Sequence, residues 1–190
     1  MTDRSGELET ELIRGVQDGR REFFEPLVRS YEAEAHRVAL AILGERDAAS
    51  DAVQEAFIKA YRAIDRFDLD RSFRPWFLQI LRNQCRDMIR RRKAGFDTQR
   101  ITPLMAERMP SSSDAERYRH RQEAHDILWA ALARVSVDHR EVLVLKEIEG
   151  LDYGEIADAV GIPEGTVASR LFHARRALKE ALEEMGVEYP

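Results

Sequence analysis

Between positions 79 and 93 the side chains Gln79, Arg82, Arg86, Arg90 and Lys93 recur every three or four residues, joined by Asn83, Arg91 and Arg92. On a helix of about 3.6 residues per turn such positions share one side. A row of guanidinium, ammonium and amide donors binds an extended anion. The surrounding stretch, Ser72 to Lys93, also carries Phe73, Trp76, Phe77, Ile80, Leu81, Cys85, Met88 and Ile89 at helical spacing, which predicts a second side lying on a core. Ser72 stands where it can cap this helix, and Pro75 falls in the first turn, where a backbone N–H is not needed.

Bond-making chemistry has no comparable basis. His36, His120, His125, His139 and His173 form no metal-ligand spacing with one another or with Cys85. There is no Walker A loop, no nucleophile elbow and no paired-carboxylate context beyond ordinary helix faces. The expectation is a non-enzyme with no catalytic residue, no metal and no cofactor. Cys85 is the one cysteine, so no internal disulfide framework forms, and its core-facing position predicts an ordinary buried thiol.

The chain has 190 residues, 44% hydrophobic and 34% charged, enough for one or two small domains with real cores. Sparse Gly, Pro and aromatic residues favour an all-α protein. A formal net charge of -5 argues against indiscriminate coating of nucleic acid, so any such contact must come from local patches. No run of eighteen or more apolar residues appears and the N-terminus is acidic and polar, so neither a secretory signal nor a membrane span is expected.

These patches need helices to position them. Leu8, Leu12, Ile13 and Val16 predict a short helix ending near Gly19. Phe23, Phe24, Leu27, Val28 and Tyr31 open a second, continuing through Val38, Ala39 and Ile42 to a stop at Gly44. A third runs from about Ala48 to Ile64, burying Val53, Phe57, Ala60 and Ile64. Its other side groups Asp51, Gln54, Glu55 and Ile58, a polar patch with one apolar residue where a plain solvated face is the simpler alternative. Arg66 to Arg71 reads as a tight charged loop before Ser72.

Gly95, Pro103, Pro110 and Ser111 to Ser113 then break the periodicity and predict a linker. Order resumes at the capping-box pattern of Ser113 to Glu116, and Ile127, Leu128, Ala131 and Leu132 supply an apolar stripe. Further on, Asp152 with Glu155 caps a helix carrying Ile156, Ala157 and Val160; Gly161 breaks it and Pro163 starts the next. That is helix-turn-helix grammar. In its second helix Val167, Leu171, Ala174, Leu178 and Leu182 face the core, while Gly165, Ser169, Phe172, His173 and Arg176 lie opposite and Ala168 lies to one side. An outward aromatic beside Ser169, His173 and Arg176 suits a major groove, with a partner-protein groove or plain solvent as the alternatives. Arg170 and Arg175 flank the core stripe within reach of phosphates.

In order and spacing, DAVQEAFIKAYRAIDRF, SFRPWFLQILRNQCRDMIRRRK and HREVLVLKEIEGLDYGEIADAVGIPEGTVASRLFHARRAL resemble bacterial RNA polymerase sigma factors of the extracytoplasmic-function (ECF) group of the sigma-70 family. The resemblance implies an all-α protein of two small helical domains joined by a flexible linker. Residues 1–95 would form the domain that binds core polymerase and opens the minus-ten element. Residues 96–118 would be the linker, and residues 119–190 the helix-turn-helix domain that reads the minus-thirty-five element.

It further implies that Asp51, Gln54, Glu55 and Ile58 dock on the β′ clamp of the polymerase, with the β flap as a further contact of the chain. The loop containing Arg66, Asp68, Asp70 and Ser72 would capture a flipped minus-ten base in a pocket near Trp76 and Asn83, and Arg82, Arg86, Arg90, Arg91, Arg92 and Lys93 would follow the phosphates. Thr166, Ala168, Ser169, Arg170, Phe172, His173, Arg175 and Arg176 would meet minus-thirty-five DNA. Ala168 and His173 stand where many members carry Lys or Arg, leaving a thymine-methyl contact to the first and a hydrogen bond without full charge near pH 7 to the second. The resemblance places the chain in the bacterial cytoplasm, on the nucleoid when active, with promoter DNA and core RNA polymerase as partners and an anti-sigma factor as a further one. Two alternatives stand beside it: a sigma-mimicking decoy that titrates an anti-sigma factor, and a helix-turn-helix regulator that works without polymerase.

Overall fold

A computed structural model describes residues 3–94 and 126–187, and among them every regular element is helical. The linker and the Ser113–Glu116 capping pattern lie outside the described residues. Helix α1 spans Asp3–Gln17, α2 Phe24–Leu43, α3 Arg46–Ala63 and α4 Phe73–Lys93. Residues 126–134 form α5. Helix α6, Val137–Leu143, runs on into a π-helical turn, Val144–Ile148; α7 is Tyr153–Val160 and α8 Glu164–Glu184.

The helix boundaries follow the local signals. Gly44 takes φ 72°, left-handed backbone that glycine adopts without strain, and its N–H caps α2 by donating to the Leu40 carbonyl. Asp152 and Glu155 form a reciprocal capping box at the start of α7, and Gly161 at φ 71° ends it. Ser72 occupies the N-cap position of α4, yet its side chain makes no capping hydrogen bond. The first turn of that helix contains Pro75, which already lacks one of the donors a cap would serve.

An aromatic cluster joins α2, α3 and α4. Phe57 stacks on Phe77 at a centroid separation of 4.5 Å, and Phe73 lies parallel to Phe77 at 5.9 Å. Phe73, Phe77, Leu81 and Cys85, four residues apart along α4, are fully buried. Burying each large side chain contributes about 1.5–3 kcal/mol, so this row fixes the rotation of α4 about its axis. Trp76, Ile80, Met88 and Ile89 pack on the same core while only partly buried. The charged loop is anchored from outside α4: Gln17 donates to the carbonyls of Ile64 and Phe67 at 2.8 and 2.9 Å.

In the C-terminal half, Val167, Leu171 and Ala174 of α8 pack with Ile156 and Val160 of α7. The expected stripe on α5 is rotated: Ala131 and Leu132 are buried, but Ile127 and Leu128 are exposed. Val135, just past the helix, takes the next core position.

The two halves share one continuous hydrophobic cluster. Helix α7 packs on α4 and α6 packs on α2. Arg140 of α6 is buried at this junction and donates to the Ile42 carbonyl at 3.0 Å and to those of Ala133 and Val135 at 2.9 Å each. Carbonyls exposed at a helix C-terminus attract a cation, so Arg140 ties the end of α2 to the end of α5. Burial lowers the pKa of this guanidinium from its ordinary value.

Candidate functional site

Three faces carry the residues singled out by spacing. The first is α3. Its buried positions Ala49, Ala52, Val53, Ala56, Phe57 and Ala60 leave Asp51, Gln54 and Ile58 exposed and Glu55 half-buried. Beside them an open groove of about 820 Å³ runs between α2 and α3, lined in part by Phe24, Val28, Phe57, Ile58 and Tyr61. Polar side chains next to an apolar groove make a surface that a helical partner can cover.

The second face is the loop before α4 together with α4 itself. The carboxylate of Asp68 accepts the backbone N–H of Asp70 at 3.0 Å, and the Asp68 carbonyl accepts that of Arg71 at 3.0 Å, so the loop is a folded turn. Arg66, Asp68, Asp70 and Ser72 are exposed on it. Trp76 leans on Phe67 at 4.8 Å between centroids and on Phe73 at 5.3 Å, with part of its ring outward. Asn83, seven residues on, shares that side of the helix and is exposed.

The arginines of α4 have distinct surroundings. Arg82 Nε donates to Glu141 at 2.8 Å; Arg86 Nε and Nη2 donate to the same carboxylate at 2.8 and 3.2 Å, and Arg86 also pairs with Asp138. Arg92 pairs with Glu45 at 2.9 Å, both side chains largely buried, so it faces α3 and not the side of Arg86 and Arg90. Arg90 pairs with Asp87 on its own helix, Arg91 is exposed, and Lys93 closes the helix. Cys85 is fully buried, and burial pushes its thiol up to about 12, which makes it the inert core thiol its spacing predicts.

The third face is α8. Ala168, Ser169, Phe172, His173, Arg175 and Arg176 are exposed; Thr166 and Arg170 are half-buried. Phe172 is 65% exposed, its ring edge-to-face with His173 at 5.4 Å. The Ser169 hydroxyl donates to the Thr166 carbonyl at 2.9 Å. Arg176 pairs with Glu180 one turn on, and Arg175 with Glu147 at 2.7 Å. Both pairs are solvent-exposed and weak, so their guanidiniums are available to another anion.

Spacing did not reveal the carboxylates that meet α4. Glu141 closes the polar stretch Asp138 to Glu141 ahead of the apolar run Val142 to Leu145, and nothing in that stretch marks this acid rather than Asp138 as the buried one. Leu78 was likewise missed. It lies in the same four-residue row as Arg74, Arg82 and Arg86 and is fully buried.

Family models match both halves of the chain. Sigma-70 region 2 matches residues 27–95, and sigma-70 region 4 matches residues 125–178. The RNA polymerase sigma-H factor of Pseudomonas aeruginosa is 32% identical over 183 residues, covering 93% of this chain and 95% of that protein. The ECF RNA polymerase sigma-E factor of Escherichia coli strain K12 is 31% identical over 178 residues, covering 90% and 93%. CnrH, solved in complex with the cytosolic domain of CnrY, matches with a TM-score of 0.68 at 26% identity over 93% of this chain and 98% of that one. The sigma factor RpoE, solved with the anti-sigma factor NepR from Bartonella quintana, matches at 0.66 and 25% over 84% and 96%. The chain belongs to the sigma-70 family, in its extracytoplasmic-function group. Its class acts in transcription initiation, and α7 with α8 is the DNA-binding helix-turn-helix of that class. Among the described residues, no helix is long and apolar enough to cross a membrane.

Proposed function

We propose that this chain binds core RNA polymerase, recognises minus-thirty-five and minus-ten promoter elements and promotes DNA melting, working in the bacterial cytoplasm and adding no catalysis of its own. In this reading residues 1–95 and 119–190 act as separate domains with 96–118 as the tether. Asp51, Gln54, Glu55 and Ile58 meet the β′ clamp. The Arg66 to Ser72 loop with Trp76 and Asn83 receives an unstacked minus-ten base, while Arg82, Arg86, Arg90, Arg91 and Lys93 hold phosphates. Opening a duplex costs a few kcal/mol per unstacked step, and a base pocket backed by cations offsets that cost. Ser169, Phe172, His173 and Arg176 enter the major groove of the minus-thirty-five element, with Arg170 and Arg175 on its backbone.

The observation that carries the reading is that one molecule presents two outward faces of different kinds: the α3 patch beside its groove and the aromatic-cationic face of α8. A polymerase-independent regulator has use for the second and none for the first. A decoy has no need of an outward Phe172. Relatives solved with an anti-sigma factor support an anti-sigma partner here as well.

Purified core polymerase supplemented with this chain is expected to start transcripts at discrete sites in a genomic promoter library. Absence of initiation at every promoter, with the chain folded and core active with another sigma factor, refutes the reading.

A further inference from the structure

Helix α1 carries none of the residues assigned to polymerase or DNA, yet its last turn holds the loop that precedes α4. Its side chains Ile13 and Val16 are buried, and Gly15 seats on Phe23 so closely that a Cβ there would lie 2.5 Å from Cδ1 of the ring. The chain leaves the helix with the Arg20 N–H donating to the Gly15 carbonyl at 3.0 Å and the Gly19 N–H to that of Val16 at 2.9 Å. This paired closure fixes the C-terminal turn, and with it the direction of Gln17. Farther up the helix Glu9 accepts a hydrogen bond from the Tyr31 hydroxyl, and the Tyr31 ring packs on Phe73 at 5.3 Å and Phe77 at 5.9 Å. Helix α1 is thereby tied to the aromatic cluster that seats α4.

Gln17 uses its carboxamide nitrogen twice. Nε2 donates to the Ile64 carbonyl at 2.8 Å, and to the Phe67 carbonyl at 2.9 Å where the backbone becomes extended. The Ile64 carbonyl already accepts the Phe67 N–H at 2.9 Å, so closing the turn Ile64–Arg66 does not need Gln17. Beyond it the chain is exposed from Asp68 to Ser72 except at half-buried Leu69. The hydrogen bonds from the Asp70 and Arg71 N–H groups to Asp68 keep this loop folded without orienting it on the domain. Orientation comes from Gln17 and from the Phe67 ring, which is buried and lies 5.7 Å from Phe73 and 4.8 Å from Trp76. The carbonyl that Gln17 holds and the ring that backs Trp76 belong to one residue.

We propose that Gln17 is a positioning residue for the minus-ten pocket: its carboxamide sets the entry of the loop and, through Phe67, the seat of Trp76, so that base preference depends on it. The proposal rests on the promoter-binding reading above. A loop released from this anchor samples other orientations, and affinity for the base falls by the fraction that stays competent. Contacts to phosphates and to the minus-thirty-five element, made elsewhere, are left as they are.

The test uses the full chain with core polymerase at a promoter where it initiates, in two duplex libraries, one randomised over the minus-ten element and one over the minus-thirty-five element. Sequencing the templates that yield transcripts gives the base preference at each position. Q17M keeps an unbranched side chain and removes the donor; Q17E keeps the shape and sets a carboxylate against two carbonyls. The strongest minus-ten preference is expected to fall about tenfold in Q17M, the combined effect of two neutral hydrogen bonds, and further in Q17E. Minus-thirty-five preference and capture on polymerase beads should be unchanged. A packing role predicts the reverse order, because Glu fills the space of Gln. Unchanged minus-ten preference in both variants, that reverse order, or equal loss at both elements overturns the proposal. A wild-type chain that initiates without any minus-ten preference refutes the base pocket itself, and the proposal with it.

A second measurement needs no polymerase. In a W129F chain Trp76 is the remaining tryptophan, and acrylamide quenching of its emission reports how well the Phe67 ring covers it. Quenching is expected to rise in Q17M and Q17E while circular dichroism keeps the helix content of the parent. Quenching that stays at the parent level overturns the proposal even where minus-ten preference falls. If the wild-type chain initiates nowhere, the sigma reading fails instead, and a rise in quenching then leaves Gln17 as the brace of a loop with another use.

Discussion

Helices α4 and α8 carry the same kind of sequence signal, a row of cations opposite an apolar stripe, and the fold treats them in opposite ways. On α8 the cations pair with acids of their own surface: Arg176 with Glu180 one turn away, Arg175 with exposed Glu147. Such pairs contribute about 0–1 kcal/mol each and give way to a better anion. On α4, Arg82 and Arg86 meet Glu141, an acid almost without solvent. Breaking a buried pair by removing one partner costs about 3–5 kcal/mol, because the other charge is stranded. The difference lies in the environment of the acid, and it separates a row of cations left in water from one held across the junction.

The largest expected effect comes from removing the cations of the covered face. R82A/R86A strands Glu141, so the halves separate and the compact form loses about 3–5 kcal/mol. On the proposed function the same double variant gives up two phosphate contacts, so the salt dependence of open-complex formation should flatten by about one unit for each. Core-polymerase binding through α3 is expected to persist, which a pull-down on polymerase beads checks. Here the comparison is sharpest: the cations of α4 are held by a buried acid, whereas those of α8 are held only by exposed ones. If polymerase binding falls together with DNA binding in R82A/R86A, these arginines only hold the fold.

An intermediate effect is expected at Phe172. Its ring is largely in solvent, so F172A should leave the thermal midpoint nearly unchanged while promoter affinity falls by about 1–3 kcal/mol, the worth of a good groove contact. A large drop in stability would mean the ring is a packing residue. The smallest effect belongs to the exposed pair on α8. E180A, which removes the partner of Arg176, should change stability by less than about 0.5 kcal/mol in a denaturant titration. A larger change would erase the contrast between the two helices.

Much of this was legible in the sequence because the signals are local. The row Phe73, Phe77, Leu81 and Cys85 announces which side of α4 is buried, and the same arithmetic places Phe172 outward. Asp152, Glu155 and Gly161 set the limits of α7 through hydrogen bonds within a few residues. Where periodicity failed, a neighbour outside the helix decided. Ile127 and Leu128 match the apolar stripe of α5 but are left outside, and Val135 beyond the helix end takes the core position instead. Arg92 continues the run from Arg90 but turns to Glu45 at the start of α3.

By itself the sequence determined most of the helices and their buried sides, the helix-turn-helix and the family. Hydrogen bonding and side-chain spacing along a helix depend on residues three or four positions apart. Only the tertiary structure decided which charged face is open. Arg82 and Glu141 are 59 positions apart, and no periodic pattern in one helix specifies the acid that another will place against it. That choice depends on how α6 and α7 pack on α2 and α4, and there the basic row of α4 becomes a closed interface while the one on α8 stays in water.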